Sequence, residues 1–154
     1  MGVSGFVKVL IMRIEMPRKR KMLVLVNPFS GGGEAARSWD TARPIIEKAH
    51  LDLKVIFTER AGHAYDIVNQ EMKPKEYDGI ITVSGDGLIH EVVNGIYRRQ
   101  DQILMMSTMA LGFIPGGSAN GLVKAVLDHS GEEFSVENAT FLAAKGRVTR
   151  MDLT

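Results

Sequence analysis

The sequence contains no cysteine. That absence excludes disulfide staples, thiolate metal sites and a cysteine nucleophile together, and it is compatible with a reducing compartment. Charge of either sign is in balance: 19 Lys and Arg against 18 Asp and Glu leave a formal net charge of +1, so no strong field marks a nucleic-acid partner. There is also no apolar run long enough to cross a bilayer. The nearest candidate, residues 1–16, is interrupted by Lys8, Arg13 and Glu15, too soon for a span of about 20 residues. It has neither a basic start nor a small-residue cleavage site, as a signal peptide would. Phe6 stands where an N-myristoylation motif requires Ser or Thr. Residues 1–20 therefore read as an N-terminal extension, loose or strand-like, ahead of a single domain over 21–154. The basic run from Arg18 to Lys21 reads as a solvated edge. Internal repeats and low-complexity tracts are missing too.

What the sequence does have is glycine, 16 in 154 residues, gathered at Gly31–Gly33, Gly85–Gly87 and Gly116–Gly121. Flexible linkers also collect glycine, but they are polar throughout, and each of these clusters follows an apolar run. Short β-branched and apolar runs predict strands over Lys21–Val26, Lys54–Phe57, Gly79–Val83 and Leu111–Ile114. Helical spacing predicts helices over Glu34–His50, His63–Gln70, Leu88–Tyr97, Ser118–Leu127 and Val136–Ala144, with a kink or split at Pro44. A further strand is expected from Arg147 to Leu153. Strands alternating with helices give an α/β fold, a doubly wound and mostly parallel sheet with helices on both faces. All three glycine clusters then fall at strand-to-helix turns. That is the sheet edge where such folds bind ligands, so the clusters point to one shared site.

The first turn, Asn27-Pro28-Phe29-Ser30-Gly31-Gly32-Gly33, suits an anion, because glycines let backbone N–H groups converge beside a helix N-terminus. It is not a Walker A loop, since no Gly-Lys-Ser/Thr follows. Gly31 to Ala36 satisfies the looser G-x-G-x-x-A pattern, and Glu59 ends the second strand; an NAD-binding Rossmann domain is therefore a rival reading. The second turn, Ser84-Gly85-Asp86-Gly87, holds a carboxylate between two glycines at a helix entry. Such an aspartate can take a proton, align a hydroxyl or approach Mg²⁺ through water; the plainer alternative is an N-cap for its own helix. Glu91 follows one turn later and is able to point back to the same ligand. His90 has no second histidine at metal-ligand spacing, and no metal-ligating set is assigned. In the third turn, Pro115-Gly116-Gly117-Ser118-Ala119-Asn120-Gly121, Ser118 and Asn120 can cap the next helix or bond a phosphate.

Together, Asn-Pro-x-Ser-Gly-Gly-Gly, Thr58-Glu59-Arg60 with His63-Ala64, Ser-Gly-Asp-Gly-Leu-x-His-Glu-Val-Val-Asn-Gly and Pro-x-Gly-Ser-x-Asn resemble the catalytic domain shared by sphingosine kinases and diacylglycerol kinases. Ser84 and the stretch Gly121–Asp128 lean towards the sphingosine-kinase branch. The resemblance implies an ATP-dependent lipid kinase that moves a γ-phosphoryl group to a sphingoid or diacylglycerol hydroxyl, with Mg²⁺ bridging the phosphates. It implies Asn27, Pro28 and Phe29 in the nucleotide pocket, the Ser30–Gly33 backbone around phosphates, and Thr58, Glu59, Arg60 and Gly62 as a further part of the site. It implies Asp86 as the base, flanked by Ser84, Gly85 and Gly87, with Glu91 on the nucleotide side and Gly117, Ser118, Ala119 and Asn120 against ATP. Partners are then ATP and a lipid, with peripheral membrane contact from a cytoplasmic location. Three departures from the family pattern stand out. Glu34 replaces a basic residue, Ala119 replaces a glycine, and the lipid-binding second domain is expected to be missing, leaving the chain weakly active by itself. A non-catalytic nucleotide-binding module that kept the fold without the chemistry is a further alternative; NAD kinases also use a glycine-flanked aspartate, but the Asn27-Pro28 and Pro115–Asn120 motifs argue against them.

Overall fold

The computed structural model describes residues 18–151. Four parallel strands form one sheet in the order β2-β1-β3-β4: β1 Arg20–Val26, β2 Leu51–Phe57, β3 Gly79–Ser84 and β4 Ala110–Pro115. The two central strands are buried almost throughout, with Met22–Val26 of β1 and all of β3 out of solvent. That burial explains their near-continuous run of Leu, Val and Ile, since a strand covered on both faces has no polar alternation. From β1 the chain crosses to β2 on one side, then returns over β1 to β3 on the other. The switch in direction lies between the carboxyl ends of β1 and β3, the place where open α/β sheets hold ligands.

Each sheet face carries its own core. On one, α1 (Glu34–Ile46) lays Ala35, Trp39, Ala42 and Ile46 against Val24, Val26, Ile81 and Val83, and α6 (Val136–Lys145) adds Ala144. On the other, α2 (His63–Asp66), the π-turn Ile67–Glu71 that continues it, α3 (Asp86–Tyr97) and α4 (Gln102–Thr108) cover Leu23, Leu25 and Ile80. The helix α5 (Gly121–Ser130) packs Val123 and Leu127 against Ile89 and Ala139. Fully burying a side chain of this size is worth about 1.5–3 kcal/mol, so the paired cores hold the strand ends, and the turns between them, in fixed register. Arg99 ties down the end of the π-turn: its guanidinium donates to the carbonyls of Val68 and Asn69 at 2.5 and 3.2 Å, and to that of Met72, just past the turn, at 3.0 Å. Only 8% of the Arg99 side chain is exposed, and Asp101 balances its charge at 2.6 Å. That ion pair holds the Asp101 carboxyl below its ordinary range.

The structure departs from the sequence reading in several places. Pro44 neither kinks nor splits α1, because it sits in the last turn, where a lost N–H costs one bond; the helix ends at Ile46 rather than His50. His50, at φ 54, turns the chain into β2, which starts at Leu51. The helix α4 was not expected. The fifth helix begins at Gly121, not Ser118. Residues 147–151 form no strand, and 152–153 of that predicted strand lie outside the described residues, as does 1–17 of the predicted extension.

The basic run is not merely a solvated edge. Arg18 pairs with Asp78 at 2.5 Å, Arg20 donates to the Ala144 carbonyl, and Lys21 lies 5.1 Å above the Tyr77 ring. Asp78 also accepts the Lys21 N–H at 2.7 Å. The Arg18 hydrogen bond is the main reason its carboxyl falls from 3.8 to about 2, against a desolvation effect that raises it. A carboxyl depressed by folding stabilises above its unfolded pKa of about 3.9, and that contribution disappears as pH falls through the folded value. Asp78→Asn is therefore expected to lower the thermal midpoint at neutral pH. The gap to the parent should close between about pH 4 and pH 2, which melting curves across that range will show.

Candidate functional site

The three glycine turns are built as one unit. The segments after β1, β2 and β4 each continue the sheet ladder by one bond: Asn27 N–H to the Val83 carbonyl at 3.2 Å, Thr58 N–H to Val26 at 2.8 Å, and Gly116 N–H to Ser84 at 3.0 Å. The Ser30 hydroxyl then accepts the Gly85 N–H at 3.2 Å, tying the first turn to the second. The second and third turns touch backbone to backbone. A Cβ placed on Gly117 would sit 2.3 Å from the Gly85 Cα, and one on Gly85 would sit 2.7 Å from the Ala119 carbonyl oxygen. Gly31 has φ 58, and a Cβ there would come within 3.0 Å of the Gly116 oxygen. Glycine is required at these positions because two main chains occupy the space of a side chain.

Asp86 does not cap its own helix. It is the first residue of α3, and Gly85 occupies the cap position without a side-chain bond. Its carboxylate instead accepts the Gly121 N–H at 2.9 Å and the Leu122 N–H at 3.3 Å, capping α5 from across the site. Ser118 and Asn120 make no such cap on α5. The Asn120 side chain folds onto its own turn, accepting from Gly116 and Gly117 at 3.2 and 3.1 Å and donating to the Gly117 carbonyl at 2.6 Å. An ionised carboxylate offers about four lone-pair directions. Two N–H donors fix the orientation of Asp86 and leave two directions for an incoming hydroxyl. Half-buried, it stays accessible.

Glu91 behaves in the same way one turn further along α3. Its carboxylate accepts the Gly62 N–H at 3.0 Å and the Ala64 N–H at 3.2 Å, anchoring the segment that leads from β2 into α2. His63 accepts the Glu59 N–H through Nδ1 at 3.0 Å, and Arg60 pairs with Asp66 at 2.6 Å. The long-range anchor was not legible in the sequence, because Gly62 and Glu91 are 29 residues apart.

These elements enclose a cleft of about 270 Å³ lined by Asn27, Phe29, Ser30, Arg60, Ser84, Gly87 and Glu91 together with Ala61 and Leu88. Pockets that bury a whole small ligand measure roughly 300–1,000 Å³, so a nucleotide would sit partly in the cleft and partly over open surface. Phe29, 72% exposed, offers an aromatic face at the rim. Of the sequence candidates, Pro28 and Gly31–Gly33 shape the first turn. Thr58 is buried behind the wall. Glu59, Gly62, Gly85, Asp86 and Gly117–Asn120 do not line the cleft; Asp86 stands next to its lining residue Gly87. Glu59 is exposed, and its N–H is engaged by His63. Glu34 is offset by Arg37 at 2.5 Å, which reduces the penalty its charge was expected to impose on phosphate. Ala119 directs no side chain into the contact; it is exposed, and its carbonyl accepts the Asp86 N–H at 3.2 Å.

A parallel α/β sheet with helices on both faces, three interlocked glycine turns at its switch point and a carboxylate held between the second and third turns define a doubly wound domain of the class that holds ligands at this sheet edge. Residues 21–154 match the model of the diacylglycerol kinase catalytic domain, and the chain belongs to that family. It is 36% identical over 141 residues to sphingosine kinase 1 of Arabidopsis thaliana, covering 91% of this chain and 29% of that protein. It is 40% identical over 147 residues to sphingosine kinase 2 of Homo sapiens, covering 90% of this chain and 22% of that protein. The chain thus spans less than a third of either relative. A crystal structure of a diacylglycerol kinase from Bacillus anthracis superposes with a TM-score of 0.66 at 26% identity, over 83% of this chain and 40% of that one. No helix among the described residues is long and apolar enough to cross a membrane.

Proposed function

We propose that this domain binds ATP and supplies the base of a lipid kinase that phosphorylates a sphingoid or diacylglycerol hydroxyl. The observation that carries the reading is the Asp86 carboxylate, held by two backbone N–H groups beside a cleft in a chain of this family. Asp86 takes the proton from the acceptor hydroxyl as oxygen attacks the γ-phosphorus, and the bond to the departing ADP breaks. The Ser30 and Ser84 hydroxyls and the Arg60 guanidinium face the phosphates, while Phe29 lies against the base. Asn27 shapes the pocket by accepting the Phe29 N–H at 3.1 Å. Catalysis of this kind is mostly positioning and charge stabilisation, which suits a site assembled from rigid turns.

Mg²⁺ would be held by phosphate oxygens and water, its usual mode in such sites. Among the described residues no three His, Asp or Glu side chains gather to cage a cation. Bound Mg²⁺ would neutralise charge developing on the phosphates.

Thermal shifts with Mg-ATP and with NADH test the nucleotide. A rise in melting temperature with Mg-ATP is expected; a rise with NADH alone overturns the reading. Transfer of labelled phosphate to sphingosine or diacylglycerol in mixed micelles tests the acceptor. Glu91→Gln separates anchoring from chemistry. The amide keeps one acceptor for Gly62 and turns an NH₂ group towards the Ala64 N–H. A charge-assisted bond contributes about 1.5–3 kcal/mol, so ATP affinity should fall by roughly tenfold to a hundredfold while the single-turnover rate at saturating ATP changes little. Titration calorimetry and a rapid-quench assay measure the two separately.

A further inference from the structure

The strand β2 is at the edge of the sheet. Only β1 pairs with it, and among the described residues nothing pairs with its outer side. One hydrogen bond shows which backbone groups face outward. The Thr58 N–H points at β1, donating to Val26. Backbone groups alternate in direction along a strand, so Asp52, Lys54 and Ile56 also point inward, and Leu51, Leu53, Val55 and Phe57 present N–H and C=O to the free edge. Side chains of this outward set line a groove of about 470 Å³ against Trp39, Asp40, Arg43 and Glu47 of α1, and Phe57 is 47% exposed. The opposite face of the strand carries Asp52 and Lys54, both exposed.

We propose that this edge pairs with the same edge of a second copy of the chain, antiparallel, about a two-fold axis through Leu53. A two-fold axis makes the contact self-complementary, and charge selects the register. With Leu53 opposite its own counterpart and Leu51 opposite Val55, the outward-facing residues exchange both backbone bonds, as hydrogen-bonded antiparallel pairs require. Asp52 of each copy then stands opposite Lys54 of the other, in the closer pairs where side chains interact most. Sliding the axis to Leu51 would carry Lys54 past the start of the partner's strand, which begins at Leu51, and sliding it to Val55 would leave Asp52 and Lys54 without opposite charges. Charges on edge strands commonly keep other strands away. Here two opposite charges two residues apart, centred on an outward-bonding leucine, attract an identical edge. The paired sheets would run to eight strands and leave both clefts open.

Sedimentation equilibrium on the full chain is the test, with thermal melts as the check on folding. The parent should show a concentration-dependent dimer. Lys54→Asp or Asp52→Lys alone places like charges opposite each other twice and should raise the dissociation constant by roughly tenfold or more. The double variant Asp52→Lys/Lys54→Asp restores complementarity and should restore the dimer. Amide exchange at Leu51, Leu53 and Val55 should slow as protein concentration rises. A parent that stays monomeric, or a dimer indifferent to both single variants, overturns the proposal. So does slow exchange at these amides at every dilution, which would mean that another segment of the same chain covers the edge.

Discussion

Asp86→Asn is expected to reduce phosphoryl transfer to the lipid by about 100-fold to 10,000-fold, the range supplied by a positioned proton acceptor, while ATP binding stays close to the parent. The asparagine oxygen can still accept one of the two N–H groups of Gly121 and Leu122, so α5 keeps part of its cap. The amide nitrogen meets the other N–H donor to donor; an unsatisfied buried group costs about 1–3 kcal/mol, and the partial exposure of Asp86, Gly121 and Leu122 puts this loss at the low end of that range. A modest fall in melting temperature should accompany the loss of turnover. The rate is best read as a single turnover with labelled ATP and enzyme in excess, so that a slow reaction remains visible. Turnover at the parent level, with a lowered melting temperature, would reduce Asp86 to a structural cap for α5 and remove it from the chemistry.

The second large effect is steric. Gly117→Ala places a methyl group 2.3 Å from the Gly85 Cα and 2.6 Å from its nitrogen. These neighbours are main chain, so no side chain can swing aside, and the second and third turns must separate. Overpacking of this sort costs about 1–3 kcal/mol, occasionally more. At 3 kcal/mol the melting temperature of a domain this size falls by roughly 6–12 °C. The same displacement strains the Ser30–Gly85 bond and the Ala119–Asp86 bond, so ATP binding should weaken sharply in the molecules that remain folded. Gly87→Ala is the contrast. Nothing lies within 4 Å of a Cβ there and φ is not positive, so helix propensity predicts equal or slightly higher stability, by about 0.5–1 kcal/mol. Because Gly87 lines the cleft, its added methyl should still reduce ATP affinity. A melting temperature for Gly117→Ala equal to that of the parent would show that the turns are not rigidly interlocked.

Much of this site was legible in the sequence, for a specific reason. Glycine clusters after β-branched runs can hardly be anything but strand-to-helix turns, and an alternating pattern places all such turns on one sheet edge. The strands were found because central parallel strands are apolar throughout. The short helix α4 was missed. Its exposed Ile103, Leu104 and Met106 blur the helical stripe, and only Met105 is buried. The start of α5 was misplaced because Ser118 and Asn120 are good caps by residue type, while the cap actually comes from Asp86, 35 residues away. Arg18–Lys21 was misread because Asp78, Ala144 and Tyr77, which engage three of its four charges, are distant in sequence.

By itself, the sequence determined the α/β class, the parallel sheet, the three turns and the identity of the carboxylate between its glycines. These follow from local rules: burial decides where apolar runs go, and missing Cβ atoms decide where backbones turn. Only the tertiary structure decided what each polar group does. Asp86 and Glu91 look alike in sequence, two carboxylates near the start of one helix. In the fold each is committed to the N–H groups of a different distant segment, and one turn of α3 separates the carboxylate beside α5 from the anchor of the β2–α2 segment. Hydrogen-bond partners far apart along the chain are chosen by how the sheet brings its turns together, and no local pattern of residues encodes that choice.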